Sequence, residues 1–237
     1  FLEELRRDNR FMENVTRWQT IPARDGSFLD FPEDLHSDLR SALESRDIKS
    51  LYSHQRKAYD SLRSGENTVV VTPTASGKTL SYSLPVLQTL LEDGDGRALC
   101  LFPTKALAQD QQAALGDIVL DGLLPVKIVT YDGDTPGSLR ISARDTGRII
   151  ISNPDMLHAG ILPNHPKWIR FFSTLRFVVI DEVHIYRGVF GSHMVNLLRR
   201  LKRICRFYGS DPVFFCASAT IWKPLAIGFS IIEDEGR

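Results

Sequence analysis

The residues with the most obvious chemistry lie in a short loop of small side chains, residues 72–79, with the sequence Thr-Pro-Thr-Ala-Ser-Gly-Lys-Thr. The loop follows a β-branched run and precedes a leucine-rich stretch with helical spacing, which predicts a strand, a loop and a helix in that order. Its last residues, Gly77-Lys78-Thr79, match the end of a phosphate-binding loop, in which backbone N–H groups surround a phosphate. Lys78 is then placed to reach the β- and γ-phosphates, and Thr79 to hold Mg²⁺. Thr72 stands where that pattern usually has its first glycine.

Two acidic residues end a second apolar run, in residues 177–184 with the sequence Phe-Val-Val-Ile-Asp-Glu-Val-His. In an open parallel sheet the carboxyl ends of the strands line the ligand crevice, so the acids and the phosphate loop are expected to face one site. Asp181 is the expected Mg²⁺ ligand, and Glu182 is expected to orient and deprotonate an attacking water. The alternative is a surface acid pair at a strand end, which the phosphate loop upstream makes the weaker interpretation.

Six short apolar runs are rich in β-branched and aromatic residues and do not alternate with polar ones, as is typical of strands buried on both faces of a parallel sheet. They cover residues 68–72, 98–102, 126–130, 148–152, 177–181 and 213–217. Helical patterns lie between most of them, for example at 80–91 and 105–115. This alternation predicts an α/β fold of the P-loop NTPase type, a parallel sheet flanked by helices with right-handed crossovers.

Residues 1–49 differ from the rest of the chain because charges are mixed with the apolar positions and prolines interrupt the pattern. We expect a mostly helical N-terminal extension there, with a short amphipathic helix and a second helix near 33–44. In that second helix Leu35, Leu39 and Leu43 recur at helical spacing. The nucleotide-binding domain is expected over 50–222, followed by a terminal segment at 223–237.

The composition is that of a globular protein. The 237 residues include 29 Lys and Arg and 29 Asp and Glu, so the formal net charge is zero, and 43% are hydrophobic. These values exclude a disordered chain, a collagen and a coiled-coil rod. No apolar run reaches the ~18–20 residues that cross a bilayer. Cys100, Cys205 and Cys216 are far apart in apolar surroundings, which predicts buried thiols of a cytosolic protein and disfavours a zinc site.

With no net charge, binding of nucleic acid would require a local groove. Thr104 and Lys105 end a predicted strand and open a helix, so they offer a hydroxyl, a cation and helix N–H groups to a phosphate. In the turn at 131–135, Tyr-Asp-Gly-Asp-Thr, free aspartates would repel phosphate. We therefore expect the strand to approach the backbone closely at Gly133, and the aspartates to cap local N–H groups. The alternative interpretation, an ordinary β-turn without a ligand, stays open.

A basic run later in the chain is interpreted as the solvated face of a helix whose apolar residues pack on the sheet. It comprises Arg199, Arg200, Lys202, Arg203 and Arg206.

Several of these segments together resemble a known family. Gln55 lies in a stretch similar to a Q motif, residues 72–79 to motif I, and 103–108 (Pro-Thr-Lys-Ala-Leu-Ala) to motif Ia. Residues 181–184 (Asp-Glu-Val-His) resemble motif II and 218–220 (Ser-Ala-Thr) motif III. Five motifs in this order resemble the first RecA-like motor domain of a superfamily-two DExH-box helicase.

Longer strings narrow the resemblance to the DNA helicases that include the mitomycin repair factors and the RecQ-four-like enzymes. They are residues 72–79, 102–111, 131–135, 153–158 and 185–193. Members of this group are ATP-dependent 3′-to-5′ DNA helicases that act in DNA repair. The likeness runs from about Trp18 to Ile221, whereas residues 222–228 depart from the family and carry no expectation.

The resemblance implies a role for each matching residue. The expected nucleotide contacts are Tyr52, Gln55, Thr74, Ala75, Ser76, Gly77, Lys78 and Thr79, and the expected metal ligands are Thr79 and Asp181. The expected catalytic residues are Lys78, Asp181 and Glu182. His184, Ser218 and Thr220 are expected to couple the nucleotide state to the strand groove. The expected strand-binding face comprises Thr104, Lys105, Gly133, Asp134, Asn153 and Asp155.

The implied reaction is ATP hydrolysis, with Mg²⁺, coupled to movement along single-stranded DNA or DNA with a single-stranded tail. Helicases of this kind take an arginine finger from a second RecA-like lobe, and such a finger supplies ~10³–10⁵ of the rate. The residues after Thr220 are too few for that lobe. This chain alone is therefore expected to bind nucleotide and to turn it over more slowly than ~1 s⁻¹. The resemblance also implies no membrane association and a cytoplasmic location, on the nucleoid in a bacterium.

Two alternatives stay open. An RNA-directed ATPase of the DEAD type uses the same motifs, and only the longer strings favour DNA. A nucleotide-dependent scaffold lobe would bind partners without strand chemistry, but the complete set of Lys78, Thr79, Asp181 and Glu182 argues against it.

Overall fold

The computed structural model describes residues 1–19, 25–73, 76–186 and 188–219. The strands in these ranges are β1 (Phe28–Leu29), β2 (Leu51–Tyr52), β3 (Thr68–Val71), β4 (Arg97–Leu101), β5 (Ile128–Thr130), β6 (Ile149–Ser152), β7 (Leu175–Ile180) and β8 (Val213–Ser218). The helices are α1 (Leu2–Arg7), α2 (Asn9–Met12), α3 (Ser37–Ser45), α4 (Ser53–Arg63), α5 (Lys78–Glu92), α6 (Lys105–Asp121), α7 (Gly137–Thr146), α8 (Pro154–Met156), α9 (Ile169–Ser173) and α10 (Gly188–Phe207). Tighter or wider helical turns occupy Leu157–Ile161, Leu162–Trp168 and Val183–Ile185.

The main sheet has six parallel strands in the order β3-β8-β7-β4-β6-β5. Each of the six apolar runs in the sequence forms one of these strands, so the α/β prediction is confirmed. Every residue of β4 and of β6 is buried, as expected for strands covered by helices on both faces. β1 and β2 form a separate antiparallel pair, in which Phe28 lies opposite Tyr52.

Local chemistry moves several predicted boundaries. The helix predicted over 33–44 begins at Ser37, because Nδ1 of His36 accepts a hydrogen bond from the Asp38 N–H at 3.2 Å and caps the first turn. The strand predicted over 126–130 begins only at Ile128, because the Val126 N–H bonds the nearby Leu124 carbonyl at 2.8 Å instead of a neighbouring strand. The helices predicted over 80–91 and 105–115 are both longer than expected, as α5 and α6.

Two apolar cores cover the two faces of the sheet, and alternate residues of each strand point into one or the other. Helices α3 to α6 pack over one face, and α9 and α10 pack over the other. The fully buried Leu39 and Leu43 join α3 to the first core. The second half of the predicted N-terminal extension therefore packs against the domain formed by the main sheet, whereas α1 and α2 bury no residue.

The carboxyl ends of the parallel strands bring the motif-bearing segments to one edge of the sheet. β3 leads into the phosphate loop and β7 leads into Asp181, with β8 between them. Along the same edge, β4, β6 and β5 lead into Thr104, Asn153 and the turn at 131–135. The segments predicted to bind nucleotide and those predicted to bind a strand thus lie at opposite ends of one edge.

The three cysteines are all free and buried. Burial raises the pKa of Cys100 and of Cys205 to about 12, so both thiols stay protonated and unreactive at neutral pH. In the part of the chain that the structure describes, no helix has the length and apolarity required to cross a bilayer.

Candidate nucleotide site and strand-binding edge

The phosphate loop is held from one side by the start of α4. The Gln55 amide Nε2 donates to the Gly77 carbonyl at 2.8 Å, and Nε2 of the His54 ring lies 3.0 Å from the Ser76 carbonyl oxygen. Gly77 has φ +73°, and a Cβ atom there would lie 2.6 Å from Gln55 Nε2. Only glycine combines this left-handed conformation with so close an approach, so the loop is shaped to curl back over α4.

Gln55 therefore acts here as a clamp on the loop. Its Oε1 atom accepts the Tyr52 N–H at 2.9 Å, its Nε2 is bound to Gly77, and the side chain is 3% exposed. Tyr52 is the accessible member of the predicted adenine contacts, at 39% exposure, and its ring stacks on Phe28 at 4.7 Å. Phe28 carries no local signal in the sequence, because only the pairing of β1 with β2 brings it next to Tyr52.

A hydrogen-bonded cluster fixes the other side of the loop. The Thr79 hydroxyl donates to Oε1 of Gln111 at 2.8 Å, and the buried Tyr82 hydroxyl donates to the same atom at 2.7 Å. The Ser76 hydroxyl donates to Thr72 Oγ1 at 2.6 Å, and Lys78 Nζ lies 3.5 Å from the Thr72 carbonyl. The predicted metal ligand Thr79 is thus tied to α6, the helix that begins at the strand-binding edge.

The predicted catalytic residues line one cavity of about 350 Å³ at the end of β3 and β7. Its walls are Ser76, Gly77, Lys78, Thr79, Leu107, Gln111, Asp181 and Glu182. Ligand pockets in proteins typically measure roughly 300–1,000 Å³, so the space suits a nucleotide's phosphates. The structure thus brings together Lys78 and the acid pair, which are far apart in the sequence.

Asp181 is the buried member of the acid pair, at 5% exposure. Burial raises its pKa to about 6, the neighbouring Glu182 carboxylate adds to the rise, and the Glu182 N–H and Lys78 oppose it. The Glu182 N–H donates to Asp181 Oδ1 at 2.8 Å. A buried carboxylate with this pKa is destabilised as an anion and is relieved by a bound cation.

Glu182 is held in a strained backbone conformation, with φ +52°, which is uncommon for a residue other than glycine. Its Oε2 atom is buried and has no hydrogen-bond partner among the described residues. His184 Nδ1 lies 2.9 Å from that oxygen, but the contact lacks hydrogen-bond geometry, and Nδ1 accepts the Ala219 N–H at 3.4 Å. The Glu182 carboxylate thus lines the cavity with its Oε2 atom lying against the His184 ring.

The residues present fit a magnesium nucleotide. Gly77 lines the cavity at the N-terminus of α5, where backbone N–H groups can bind a phosphate. The hydroxyl of Thr79 and the carboxylate of Asp181 are hard oxygen donors, which Mg²⁺ prefers, and the Glu182 carboxylate lines the same cavity. These three observations concern different sides of the same cavity.

The segment predicted to couple nucleotide state to the groove lies beside the acid pair. His184 is bonded through Nδ1 to the backbone that follows β8, and Ser218 is fully buried at the end of β8. This places the two strand ends in direct contact. Thr220, together with Thr74, Ala75 and the divergent stretch 222–228, lies outside the described residues.

At the end of the sheet edge where a strand is predicted to bind, the predicted contact residues form helix N-caps and a surface ion pair. The Thr104 hydroxyl accepts the Leu107 N–H at 3.3 Å and caps α6, and Asn153 Oδ1 accepts the Met156 N–H at 2.8 Å and caps α8. Lys105 forms a surface ion pair with Asp134. The predicted strand contacts therefore have structural roles of their own, although the Thr104 O–H and Asn153 amide N–H groups stay available as donors.

The sequence predicted that the aspartates of the turn at 131–135 cap local N–H groups, and Asp132 does so. Asp132 Oδ1 accepts the Asp134 N–H at 2.9 Å and the Thr135 hydroxyl at 3.0 Å, which is local capping. The Arg140 guanidinium bonds the carbonyls of Thr135, Asp132 and Gly133 at 2.8, 3.1 and 3.0 Å. Arg140 was not singled out from the sequence, and no local signal marked it, because its role depends on where α7 packs. Asp155, also predicted to face the strand, is exposed next to Asn153.

Comparison with known proteins gives several close relatives. Residues 52–226 match the DEAD/DEAH box helicase family. The chain is 53% identical to "Uncharacterized ATP-dependent helicase YprA" of Bacillus subtilis (strain 168), over 99% of the chain and 32% of that protein. It is 43% identical to "ATP-dependent helicase hrq1" of Schizosaccharomyces pombe, over 87% of the chain and 20% of that protein. The chain thus spans about a third or less of these relatives.

Solved structures agree with the sequence relatives. A crystal structure of the DUF1998 helicase MrfA bound to DNA superposes with a TM-score of 0.91 at 52% identity, over 98% of this chain and 33% of that one. MrfA bound to DNA and AMPPNP gives a TM-score of 0.91 at 49% identity, over 99% and 34% of the two chains. The RecA-like sheet that the motifs implied is confirmed by this likeness.

Proposed function

Because the chain belongs to the DEAD/DEAH box helicase family, we propose that it is the first RecA-like lobe of an ATP-dependent DNA helicase, with Mg²⁺ and ATP as its cofactors. The observation that carries the proposal is the shared cavity. Lys78, Asp181 and Glu182 line it together, although Lys78 is far from the acid pair in the sequence. Phosphoryl transfer depends on such positioning of charge around the phosphates.

Each residue of the cavity would have a distinct task in ATP hydrolysis. When bound, Mg²⁺ neutralises charge that develops on the phosphate oxygens. Thr79 and Asp181 carry the oxygens that would hold it, and Lys78 would bind the β- and γ-phosphates. The Glu182 carboxylate, which lines the cavity beside Asp181, would accept a proton from the attacking water. Tyr52, stacked on Phe28, offers an exposed aromatic surface for the adenine.

The proposed strand is single-stranded DNA, or the single-stranded tail of a duplex, followed in the 3′-to-5′ direction during DNA repair. The MrfA structures are described as bound to DNA, and the strings at 131–135, 153–158 and 185–193 favour that group over RNA-directed enzymes. The exposed Lys105 side chain and the helix N–H groups beside it face this edge, which suits the binding of backbone phosphates.

A second RecA-like lobe of the same protein is the proposed partner of this one. The chain covers 32% of the length of YprA, which leaves ample length for a lobe carrying the arginine finger. Without that finger the present chain is expected to bind nucleotide and to hydrolyse it slowly. For the whole protein we propose a place in the cytoplasm, on the nucleoid in a bacterium.

The test compares Glu182→Gln with Glu66→Gln, an identical chemical change at an exposed acid outside the cavity. In the full-length protein, Glu182→Gln should lower DNA-stimulated ATP turnover at least about 100-fold, within the range for a lost general base. It should still bind Mg²⁺-ATP, whereas Glu66→Gln should behave as the wild type. Unchanged ATP turnover in Glu182→Gln would contradict the proposed catalytic role and favour the nucleotide-dependent scaffold lobe. Stronger stimulation by a matched RNA oligonucleotide than by DNA would instead identify an RNA-directed ATPase.

A further inference from the structure

A second cavity, of about 410 Å³, lies on the face of the sheet covered by α10. Its walls come from α8 and the turn that follows it, from Tyr186 at the end of the turn Val183–Ile185, and from α10. They include Asp155, His158, Tyr186, Phe190, Arg200 and Arg203. None of these residues lines the nucleotide cavity. The space combines residues of the string 185–193 with the basic run of α10, two features that the proposed ATP site leaves without a task.

One wall of this cavity is aromatic and accessible. Phe190 is 48% exposed, and its ring stacks on that of Tyr186 with centroids 5.5 Å apart and planes at 27°. Gly191 permits this arrangement, because a Cβ atom there would lie 2.8 Å from the Tyr186 carbonyl oxygen. A half-exposed ring backed by a buried one is a surface on which a planar group can stack.

The same wall carries an unsatisfied hydrogen-bonding group. Tyr186 is 2% exposed, and its hydroxyl is buried without a partner in the described part of the chain. Burial and the charges of Asp181 and Asp155 raise the pKa of Tyr186 well above its usual value, so the hydroxyl keeps its proton. A buried O–H group without an acceptor is costly, and Tyr186 is one of the residues that line the cavity.

The charged groups around the cavity are mostly cationic. Arg200 and Arg203 line it and form no ion pair within the described ranges, and His158 and His193 lie in the same wall. Asp155 is the acidic lining residue, and a carboxylate can accept a hydrogen bond from an exocyclic amino group. Guanidinium groups beside a stacking surface and a mixed donor and acceptor set suit a nucleotide with its phosphate.

We propose that this cavity holds one unstacked base of the bound DNA strand, with Phe190 stacked on the base and Arg200 and Arg203 on its phosphate. The proposal rests on the proposed function, since Asp155 belongs both to the cavity and to the strand-binding edge beside Asn153. That continuity and the cationic lining favour nucleic acid over a protein segment as the occupant.

The experiment uses the full-length protein, a duplex with a 3′ single-stranded tail and a non-hydrolysable ATP analogue, so that the register of the strand is fixed. Single abasic sites are moved along the tail, and the Kd is measured at each position. Stacking on an aromatic ring corresponds to roughly a 5- to 100-fold change in affinity, so one tail position should weaken binding of the wild type by about 5-fold or more.

The variant Phe190→Ala should bind the intact tail as weakly as the wild type binds that abasic tail, and should lose nothing further when the base is removed. The matched control is Phe207→Ala, which removes a ring that is 76% exposed at the other end of α10 and should reproduce the wild-type profile. Arg200→Gln should lower the slope of log Kd against log salt by about 0.7, the value for one phosphate contact on a single strand.

A flat abasic profile together with normal affinity for the tail would overturn this proposal and leave the DNA helicase assignment intact. A flat profile combined with a lower Tm of Phe190→Ala would overturn it in favour of a segment of the protein as the occupant. Failure of the wild type to bind the intact tail would instead count against the proposed function itself.

Discussion

The Thr79 hydroxyl donates to Oε1 of Gln111 at 2.8 Å, which joins the phosphate loop directly to α6. Helix α6 begins after Thr104, at the edge where the strand is proposed to bind. Thr79 is also the proposed Mg²⁺ ligand. Because the hydroxyl donates its proton to Gln111, its oxygen lone pairs stay free for a metal, so the contact is compatible with that role.

Gln111→Leu should lower the free energy of unfolding by about 1–3 kcal/mol, because the buried Tyr82 hydroxyl loses its acceptor. Adding Tyr82→Phe should restore part of that loss, since both partners are then apolar. A double-mutant cycle from urea unfolding measures the coupling. The control is Gln109→Leu on the same helix, an exposed position. Additive effects of the two substitutions would contradict the contact.

Asp181→Asn should stabilise the metal-free chain at pH 8 and have little effect on its stability near pH 4. The pKa of Asp181 is raised from 3.8 to about 6, so the folded state holds its proton more tightly and the charged form is the destabilised one. The penalty is full above about pH 6, is lost as the pH falls towards 4, and amounts to about 1–3 kcal/mol. Thermal melts from pH 4 to 8 measure it. A difference in Tm between variant and wild type that is independent of pH would show that the carboxylate is not destabilised by burial.

The same pKa predicts how cation binding depends on pH. Below about pH 6 Asp181 is protonated in the absence of a cation, so Mg²⁺ must displace a proton to bind. We expect the affinity for Mg²⁺-nucleotide to fall as the pH drops from 7 to 5. The fall should disappear in Asp181→Asn, which binds weakly at every pH, and calorimetric titrations at the two pH values measure both proteins.

Gly77→Ala should weaken nucleotide binding by about 10-fold, because a left-handed residue with a Cβ atom costs roughly 1–2 kcal/mol and that atom would meet Gln55 Nε2. Gly94→Ala is the matched control, since a Cβ atom there would meet nothing within 4 Å. Titration with a fluorescent ATP analogue gives the affinities. Equal affinities of the two variants would mean that the loop does not need this close approach.

Asp134→Asn should tighten binding of single-stranded DNA several-fold. The substitution releases Lys105 from its exposed ion pair and removes a negative charge from the strand-binding edge. The slope of log Kd against log salt should steepen by about 0.7 as Lys105 gains a phosphate. Asp145→Asn, at an exposed site on α7, serves as the control. Weaker DNA binding in Asp134→Asn would mean that the aspartate itself contacts the strand.

Much of the fold could be predicted from the sequence. Strands buried on both faces of a parallel sheet are continuous apolar runs, and a phosphate loop has fixed residue types at fixed spacing between a strand and a helix. The site residues were harder to predict where one residue type suits both helix capping and ligand binding. Thr104 and Asn153 were predicted as strand contacts, and both also cap helices, because a hydroxyl or an amide that suits a phosphate also suits a free N–H group.

The contacts that the sequence could not reveal are those between distant segments. Phe28 reaches Tyr52 through the pairing of β1 with β2, and Gln111 reaches Thr79 from another helix. No spacing rule links such positions. The roles predicted for Thr74, Ala75 and Thr220 concern residues outside the described ranges and stay predictions.

The central claim is that Lys78 and Asp181 act on one Mg²⁺-nucleotide, and a double-mutant cycle on its affinity tests it most directly. Calorimetry would compare the wild type, Lys78→Ala, Asp181→Ala and the double variant in the presence of Mg²⁺. Groups that hold one ligand are coupled, so the double variant should lose clearly less affinity than the two single losses combined. Two independent losses that simply add, or nucleotide affinity unchanged in either single variant, would contradict a shared site.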